Sequence, residues 1–318
     1  LGSPRSCDGL VSKDHTQLPQ TDNRCVEIVD LEGHDASVGA RLEGGRTADR
    51  QRVVPFVEPR PQARQPGIPH RHQEALLGEV GRARRVEAGM DVARLNLSHG
   101  SYDVHEHIYN LVRAASDQTG RSVGILVDLQ GPKIRVGKFA NGKVTLQEGA
   151  KFVLDIHCDL GNEERVGLDY KNLPNDVRAG DRLLLNDGLI VLVVEKVSGG
   201  EIHTRVETGG PLSNNKGINR AGGGLTAPAL TDKDIADMDA AISMGIDFLA
   251  ISFPKDGADM AYARKLADAA SAKHGKGKAR LIAKVERAEA IAPGALESII
   301  AESDGIMVAR GDLAIEVG

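Results

Sequence analysis

The chain has 318 residues, 41% of them hydrophobic and 27% charged, with a formal net charge of −5; this suits one large α/β domain or two ordinary ones. The acidic excess argues against a general polyanion binder, which needs a basic face, and no apolar run reaches the roughly 18 to 20 residues of a membrane span or forms the centre of a signal peptide. The cysteines, Cys7, Cys25 and Cys158, are scattered and fit neither a disulfide framework nor a zinc site, so the protein is expected to be cytoplasmic, with no nucleic acid and no membrane among its partners.

Up to Val86 there are 12 Arg against one Lys, and seven of the 13 prolines; from Glu87 onward there are 13 Arg and 14 Lys. The stretch VEPRPQARQPGIPHRHQ, Val57 to Gln73, has neither helical nor strand period. Residues 1–86 are therefore expected to be an irregular, anomalous segment, with the composition of a disordered tail or of GC-rich coding DNA read in a wrong frame. Regular signals follow. MDVARLNLS, Met90 to Ser98, reads as a strand; SYDVHEHIYNLVRAASDQTG then places Val104, Ile108, Leu111 and Ala115 on one helical face and stops at Gly120. VGILVDLQG, Val123 to Gly131, is a continuous apolar strand of the kind buried on both faces, which completes a β-α-β unit and seeds a parallel sheet.

The pattern changes after Pro132. Between Lys133 and Gly224, runs of β character such as KVTLQEG and KFVLDI are separated by Gly and Asn turns, and Ser198-Gly199-Gly200 signals a hairpin. This is the signature of a small all-β domain carried on a loop. Alternation then resumes with a helix from Thr231, an N-cap residue type, to Gly245, followed by strand DFLAISF, helix DGADMAYARKLADAASAKHG, strand ARLIAKVE, helix ALESIIAES and strand GIMVARGD. Five parallel strands without a dinucleotide-binding glycine fingerprint favour a (β/α) barrel over a doubly wound sheet.

Chemistry in such a barrel sits at the C-terminal strand ends. There the sequence offers Arg94, Asn96, Ser98 and His99; Asp128, Lys133 and Arg135; Lys284 and Glu286; and Arg310 and Asp312. Lys284 and Glu286 share one face of their strand, a costly pair to desolvate unless something uses it. Two carboxylates, Glu286 and Asp312, suit Mg²⁺ or Mn²⁺, and Arg94, Lys133, Arg135 and Lys284 suit phosphate. The set points to an anionic, phosphorylated substrate, with phosphoryl transfer or enolate stabilisation as the candidate reactions.

At these residues the sequence resembles pyruvate kinase. ARLNLSHG, DLQGPKIR, NNKGIN, LTDKD, AKVERAEA and SDGIMVARGD occur in that family's order and spacing between about Glu87 and Gly318. The resemblance implies an α/β fold: an incomplete TIM (β/α)₈ barrel in two parts, residues 87–131 and 225–318, with an inserted all-β lid domain at 132–224. It implies phosphoryl transfer from phosphoenolpyruvate to ADP, giving pyruvate and ATP, in a homotetrameric parent enzyme. By the same resemblance Glu286 and Asp312 hold the divalent metal, Lys284 stabilises the transferring phosphoryl group and the enolate oxygen, and Arg94 binds phosphate. Asn96, Ser98, Asp128 and the backbone oxygen of Leu129, which stands where Thr is usual, match the monovalent-cation site. Arg135 and Lys216 resemble nucleotide-phosphate contacts, Asn96 and His99 lie near the nucleotide, and Gly311 joins Asp312 as a substrate contact. Potassium-dependent members carry Glu where Lys133 stands; a fixed ammonium can supply the charge of K⁺, so K⁺ is expected not to be required.

Two departures accompany the resemblance. The Arg/Pro/His/Gln stretch stands where the family has its first barrel strand and a Gly-Pro-Ala-Ser turn, and the sequence ends at Gly318, where the family continues. Five strands of eight would leave open edges, so the 318-residue chain by itself is expected to be a fragment that folds poorly and turns over little substrate. Two alternatives compete: a metal-dependent lyase or aldolase acting on pyruvate enolate, which lacks the β insertion, and a degraded, non-catalytic binding module. Few aromatics and no basic excess in the insertion argue against the second as an oligonucleotide binder.

Overall fold

The computed structural model describes residues 89–317 together with Val86, and upstream of these the backbone of strands β1 (Cys25–Asp30), β2 (Ser37–Arg41) and β3 (Pro55–Val57). The stretch expected to be irregular therefore contains strand backbone in three places. The physical reason is sheet pairing: β1 runs parallel to β4 (Val92–Asn96), with Ile28 opposite Val92, and antiparallel to β2. The Val57–Gln73 stretch lies outside the described residues except for Val57.

From β4 the chain alternates as the periodicity predicts. Helix α1 (Tyr102–Thr119) leads to β5 (Gly124–Asp128), which pairs parallel with β4 and is buried along its whole length. Helix α1 buries His105, Ile108, Val112 and Ala115, while Val104 is exposed, so the stripe differs from the predicted one at two positions. The His105 ring points inward, its Nε2 2.8 Å from the His99 carbonyl oxygen.

The insertion that follows is built from β6 (Lys138–Phe139), β7 (Lys143–Leu146), β8 (Lys151–Asp155), β9 (Leu160–Gly161), β10 (Arg165–Val166), the short helix α2 (Leu173–Asp176), β11 (Arg182–Leu185), β12 (Ile190–Ser198), β13 (Glu201–Thr208), β14 (Gly210–Ser213) and β15 (Ile218–Arg220). Six of these strands form one sheet in the order β10-β8-β13-β12-β11-β15. The hairpin at Gly199-Gly200 joins β12 to β13, with Ser198 opposite Glu201 and Gly199 at φ 59°, the left-handed conformation that glycine adopts without penalty. Alternating residues, among them Phe152, Leu154, Leu183, Leu185, Leu192 and Ile202, are fully buried and form a core of their own.

Helix α3 (Asp232–Met244) then opens on a capping box, in which the Thr231 side chain accepts from the Asp234 N–H and the Asp234 carboxylate takes the Thr231 N–H; it closes on Gly245 in the left-handed conformation. Strand β16 (Phe248–Ser252), helix α4 (Gly257–His274), strand β17 (Arg280–Val285), helix α5 (Ala295–Glu302) and strand β18 (Gly305–Val308) complete the alternation. The sheet order β2-β1-β4-β5-β16-β17-β18-β3 places the five predicted strands side by side in chain order, all parallel. The fold is α/β. The predicted last strand is shorter than GIMVARGD: its backbone stays in the sheet through Ala309, whose N–H bonds the Val285 carbonyl, and Arg310–Val317 is helix α6. Asp312 thus stands in the first turn of a helix.

The chain divides into two compact units. One comprises the described residues up to Gly131, Ala229–Val285 and Pro293–Ala309; the other comprises Pro132–Pro228, Glu286–Ala292 and the residues from Arg310. Among the described residues no helix is long and apolar enough to cross a membrane.

Candidate active site

Register brings the charges of the first unit together. Asn96 on β4 lies opposite Asp128 on β5, Asp128 opposite Ala250 on β16, and Ser252 opposite Lys284 on β17. Alternate residues of a strand share a face, so Arg94, Asp128, Ser252 and Lys284 can meet at one end of the sheet. Asp128 accepts from Arg94 through Nη2 at 2.5 Å and Nε at 2.9 Å, and its Oδ2 stands 3.2 Å from the Lys284 ammonium. Lys284 also donates to Ser252 Oγ at 3.3 Å, and that hydroxyl donates to the Leu129 carbonyl at 2.7 Å.

These groups are withdrawn from water: Asp128 is 1% exposed and Lys284 7%. Burial pushes the Asp128 carboxyl upward, yet the nearby Lys284 and Arg94 charges outweigh it and hold the group below its ordinary value. The carboxylate stays ionised, and it keeps two cations fixed in a dry setting where their field is strong.

The end of β4 is equally constrained. Leu97 N–H donates to the Asp128 carbonyl at 3.0 Å, Ser98 N–H to Asn96 Oδ1 at 3.1 Å, and His99 N–H to the Asn96 carbonyl at 3.3 Å. His99 itself is exposed. The residues matched to a monovalent-cation site are therefore placed close in the chain and in the sheet register, with Asp128 already shared by two cations and the Leu129 oxygen already accepting one hydrogen bond.

The second unit holds the remaining predicted residues. Val136 N–H donates to the Lys216 carbonyl at 2.9 Å and Arg135 faces Gly217 in an isolated antiparallel bridge, so Arg135 and Lys216 arise from adjoining backbone segments. Arg135 Nη1 donates to the Asn215 carbonyl at 3.0 Å, and its N–H donates to Asp169 Oδ1 at 2.8 Å. The Lys133 ammonium lies 3.6 Å from Asp312 Oδ1, both groups partly exposed. Glu286 is 2% exposed, and Gly311 is exposed. Among the described residues no three His, Cys, Asp or Glu gather as a metal cluster. Glu286 and Asp312 supply only carboxylate oxygens, a donor set that fits a hard divalent ion with one or two protein ligands and the rest of its sphere from substrate and water.

Sequence reasoning missed Ser252. The signal was present: in FLAIS, Ser252 ends a strand otherwise wholly apolar, on the face that carries Lys284 and Asp128 in the neighbouring strands. It also missed Glu316, buried in the second unit. Its Oε2 accepts from Ala288 N–H at 2.9 Å and its Oε1 from Asn219 Nδ2 at 3.3 Å; burial pushes the carboxyl above its ordinary value, and the Glu289 charge adds to the rise.

A family profile described as "Pyruvate kinase, barrel domain" matches residues 81–318. The pyruvate kinase of Haemophilus influenzae is 52% identical over 236 residues, covering 73% of this chain and 48% of that protein. Pyruvate kinase II of Salmonella typhimurium matches to the same extent, 52% over 236 residues, with 73% of this chain and 48% of the relative covered. The pyruvate kinase of Mycobacterium tuberculosis is 47% identical over 232 residues, with the same coverage of 73% and 48%. Among solved structures, a pyruvate kinase from Cryptosporidium parvum superposes with a TM-score of 0.70 at 32% identity, covering 76% of this chain and 49% of that one. The chain spans about half the length of the curated relatives it matches.

Proposed function

The chain belongs to the pyruvate kinase family, and from that premise we propose that it serves phosphoryl transfer from phosphoenolpyruvate to ADP, giving pyruvate and ATP in the cytoplasm. The observation that carries the proposal is the buried Lys284–Asp128–Arg94 cluster. A buried ammonium and a partly buried guanidinium held by one buried carboxylate form a preorganised positive field, which costs no reorganisation when negative charge develops on a phosphoryl or enolate oxygen. Ser252 aims the Lys284 ammonium and Asp128 keeps both cations from drifting toward solvent.

Glu286 and Asp312 would hold Mg²⁺ or Mn²⁺, which when bound supplies further Lewis-acid charge on the phosphoryl oxygens. In the second unit Arg135 and Lys216 serve the nucleotide phosphates; in the first, Arg94 serves the phosphate of phosphoenolpyruvate. Asn96, Ser98, Asp128 and Leu129 correspond to the monovalent-cation site, and the chain, which carries Lys133 where potassium-dependent members carry Glu, does not require K⁺. The architecture proposed is part of a (β/α)₈ barrel with residues 132–224 as its β lid, in a homotetrameric parent.

Electron paramagnetic resonance of Mn²⁺ titrated into the 318-residue chain tests the reading. The expected result is that phosphoenolpyruvate tightens Mn²⁺ binding at least about tenfold and that Glu286→Gln removes the effect, because ligand and carboxylates share one ion. Mn²⁺ binding indifferent to phosphoenolpyruvate would overturn the proposal. Where pyruvate formation is followed in parallel, it should require metal, phosphoenolpyruvate and ADP together.

A further inference from the structure

The motif LTDKD, Leu230 to Asp234, supplies none of the residues assigned above, yet its side chains reach two of the strand ends that do. Lys233 Nζ donates to the Leu97 carbonyl at 3.0 Å and to Asp237 Oδ2 at 2.5 Å. The other oxygen of Asp237, a residue 1% exposed, accepts from Tyr102 Oη at 2.6 Å. The segment from Leu97 to Tyr102, which carries Ser98 and His99, is thus held at both of its ends by α3. Asp234, fully buried, completes the capping box with Oδ2, and with Oδ1 it accepts the Gly131 N–H at 2.9 Å. Gly131 is the last residue of the first unit before the chain leaves for Lys133 and Arg135, and Ala229 is where it returns. One carboxylate therefore ties the outgoing chain to the helix that begins three residues after the return.

A cap alone explains little of this. Thr231 and Asp234 would satisfy the helix end between themselves; Lys233 bonding a carbonyl 136 positions away in the chain, and Asp234 an amide 103 away, do not serve the helix. The Gly131 site is also tightly drawn: a Cβ there would come within 2.8 Å of Ser252 Cβ, and its φ is 67°. Glycine at 131 thus lets the backbone pass close to Ser252 and reach Asp234 at once.

We propose that Lys233 and Asp234 are positioning residues: Lys233, with Asp237 and Tyr102, sets the β4 end that carries Ser98 and His99, and Asp234 sets the backbone at Gly131, just beyond the end of β5. What is positioned, the nucleotide side of the reaction, rests on the function proposed above; the bracing itself does not.

Amide hydrogen exchange on the 318-residue chain separates the two. Lys233→Met, whose wild-type side chain is half exposed, is expected to fold and to speed exchange of residues 97–101 by about tenfold, the loss of one charge-assisted hydrogen bond, with Gly131 unchanged. Asp234→Asn should do the reverse. The control is Gly245→Ala, which weakens α3 from its other end, where φ is 89°, and should affect neither segment selectively. Equal effects of Lys233→Met on both segments, or effects no larger than those of Gly245→Ala, would overturn the proposal, and this holds even if Asp234→Asn does not fold. In a second arm, ADP binding in the presence of Mn²⁺ and phosphoenolpyruvate should weaken several-fold in Lys233→Met, recover in Lys233→Arg and stay unchanged in Gly245→Ala. Wild-type chain that shows the exchange pattern but binds no ADP would reject the functional reading and leave the bracing standing.

Discussion

Two sets of cations in this molecule have opposite settings. Arg94 and Lys284 in the first unit are locked onto one buried carboxylate by the register of a parallel sheet; Lys133, Arg135 and Lys216 in the second sit on short segments, partly exposed, with Arg135 donating to the Asn215 carbonyl and Lys133 beside Asp312. The difference teaches what each set can do. A buried charge exerts a strong field but must be paid for by a fixed partner, so it suits the reacting atoms, whose charge changes in place. An exposed cation costs little to keep and little to uncover, which suits a ligand that must arrive and leave.

The sharpest way to break the comparison is at Lys284. Lys284→Met should lower any phosphoenolpyruvate-dependent pyruvate formation by about 10²- to 10³-fold, the scale of losing one preorganised electrostatic donor, measured in a lactate dehydrogenase-coupled assay; a loss under tenfold would remove Lys284 from the reacting atoms. Next in size is Asp128→Asn, which removes the buried carboxylate that Lys284 and the partly buried Arg94 share and should destabilise by about 3 kcal/mol in urea unfolding.

The pH dependence has a definite sign. The Asp128 carboxyl is held below its ordinary value in the folded chain, so its contribution is fully present above the usual carboxylate range of about 4 and is lost as pH falls through the lowered value. Wild-type stability should therefore drop on acidification more steeply than that of Asp128→Asn.

By contrast Arg135→Ala and Lys216→Ala should change stability by no more than about 1 kcal/mol while weakening ADP binding several-fold in calorimetry. Destabilisation as large as that of Asp128→Asn would erase the distinction between the two sets. The smallest effect concerns Tyr102, whose hydroxyl is raised to about 12 by its hydrogen bond to Asp237, with burial and the Asp237 charge adding to it. A raised acid stabilises the fold below its ordinary value near 10 and loses that contribution as pH climbs to about 12. Ultraviolet difference titration should show one late tyrosinate, and Asp237→Asn should bring it forward.

Much of this was legible in the sequence because it depends on local periodicity. VGILVDLQG and DFLAISF announced buried parallel strands, Thr231 and Gly245 announced the ends of a helix, and polar residues at the close of each apolar run marked Arg94, Asp128 and Lys284. The stripe on α1 was misjudged at two positions, His105 in place of Val104 and Val112 in place of Leu111; the His105 ring turns inward to the His99 carbonyl, a polar bond that apolar periodicity does not record. Asp312 was misplaced onto a strand because RGDLAIEV is compatible with either structure until the sheet ends at Ala309.

What the sequence determined by itself was the inventory: which residues are apolar with which period, and which charges stand at the ends of those runs. Tertiary structure alone decided that Asp128 would be shared by two cations, that Ser252 would join them, and that Lys233 and Asp234 would reach Leu97 and Gly131. The physical reason is that periodicity records how a residue meets its own helix or strand, whereas these bonds join residues up to 156 positions apart, from Asp128 to Lys284, and exist only once strand register brings them within reach.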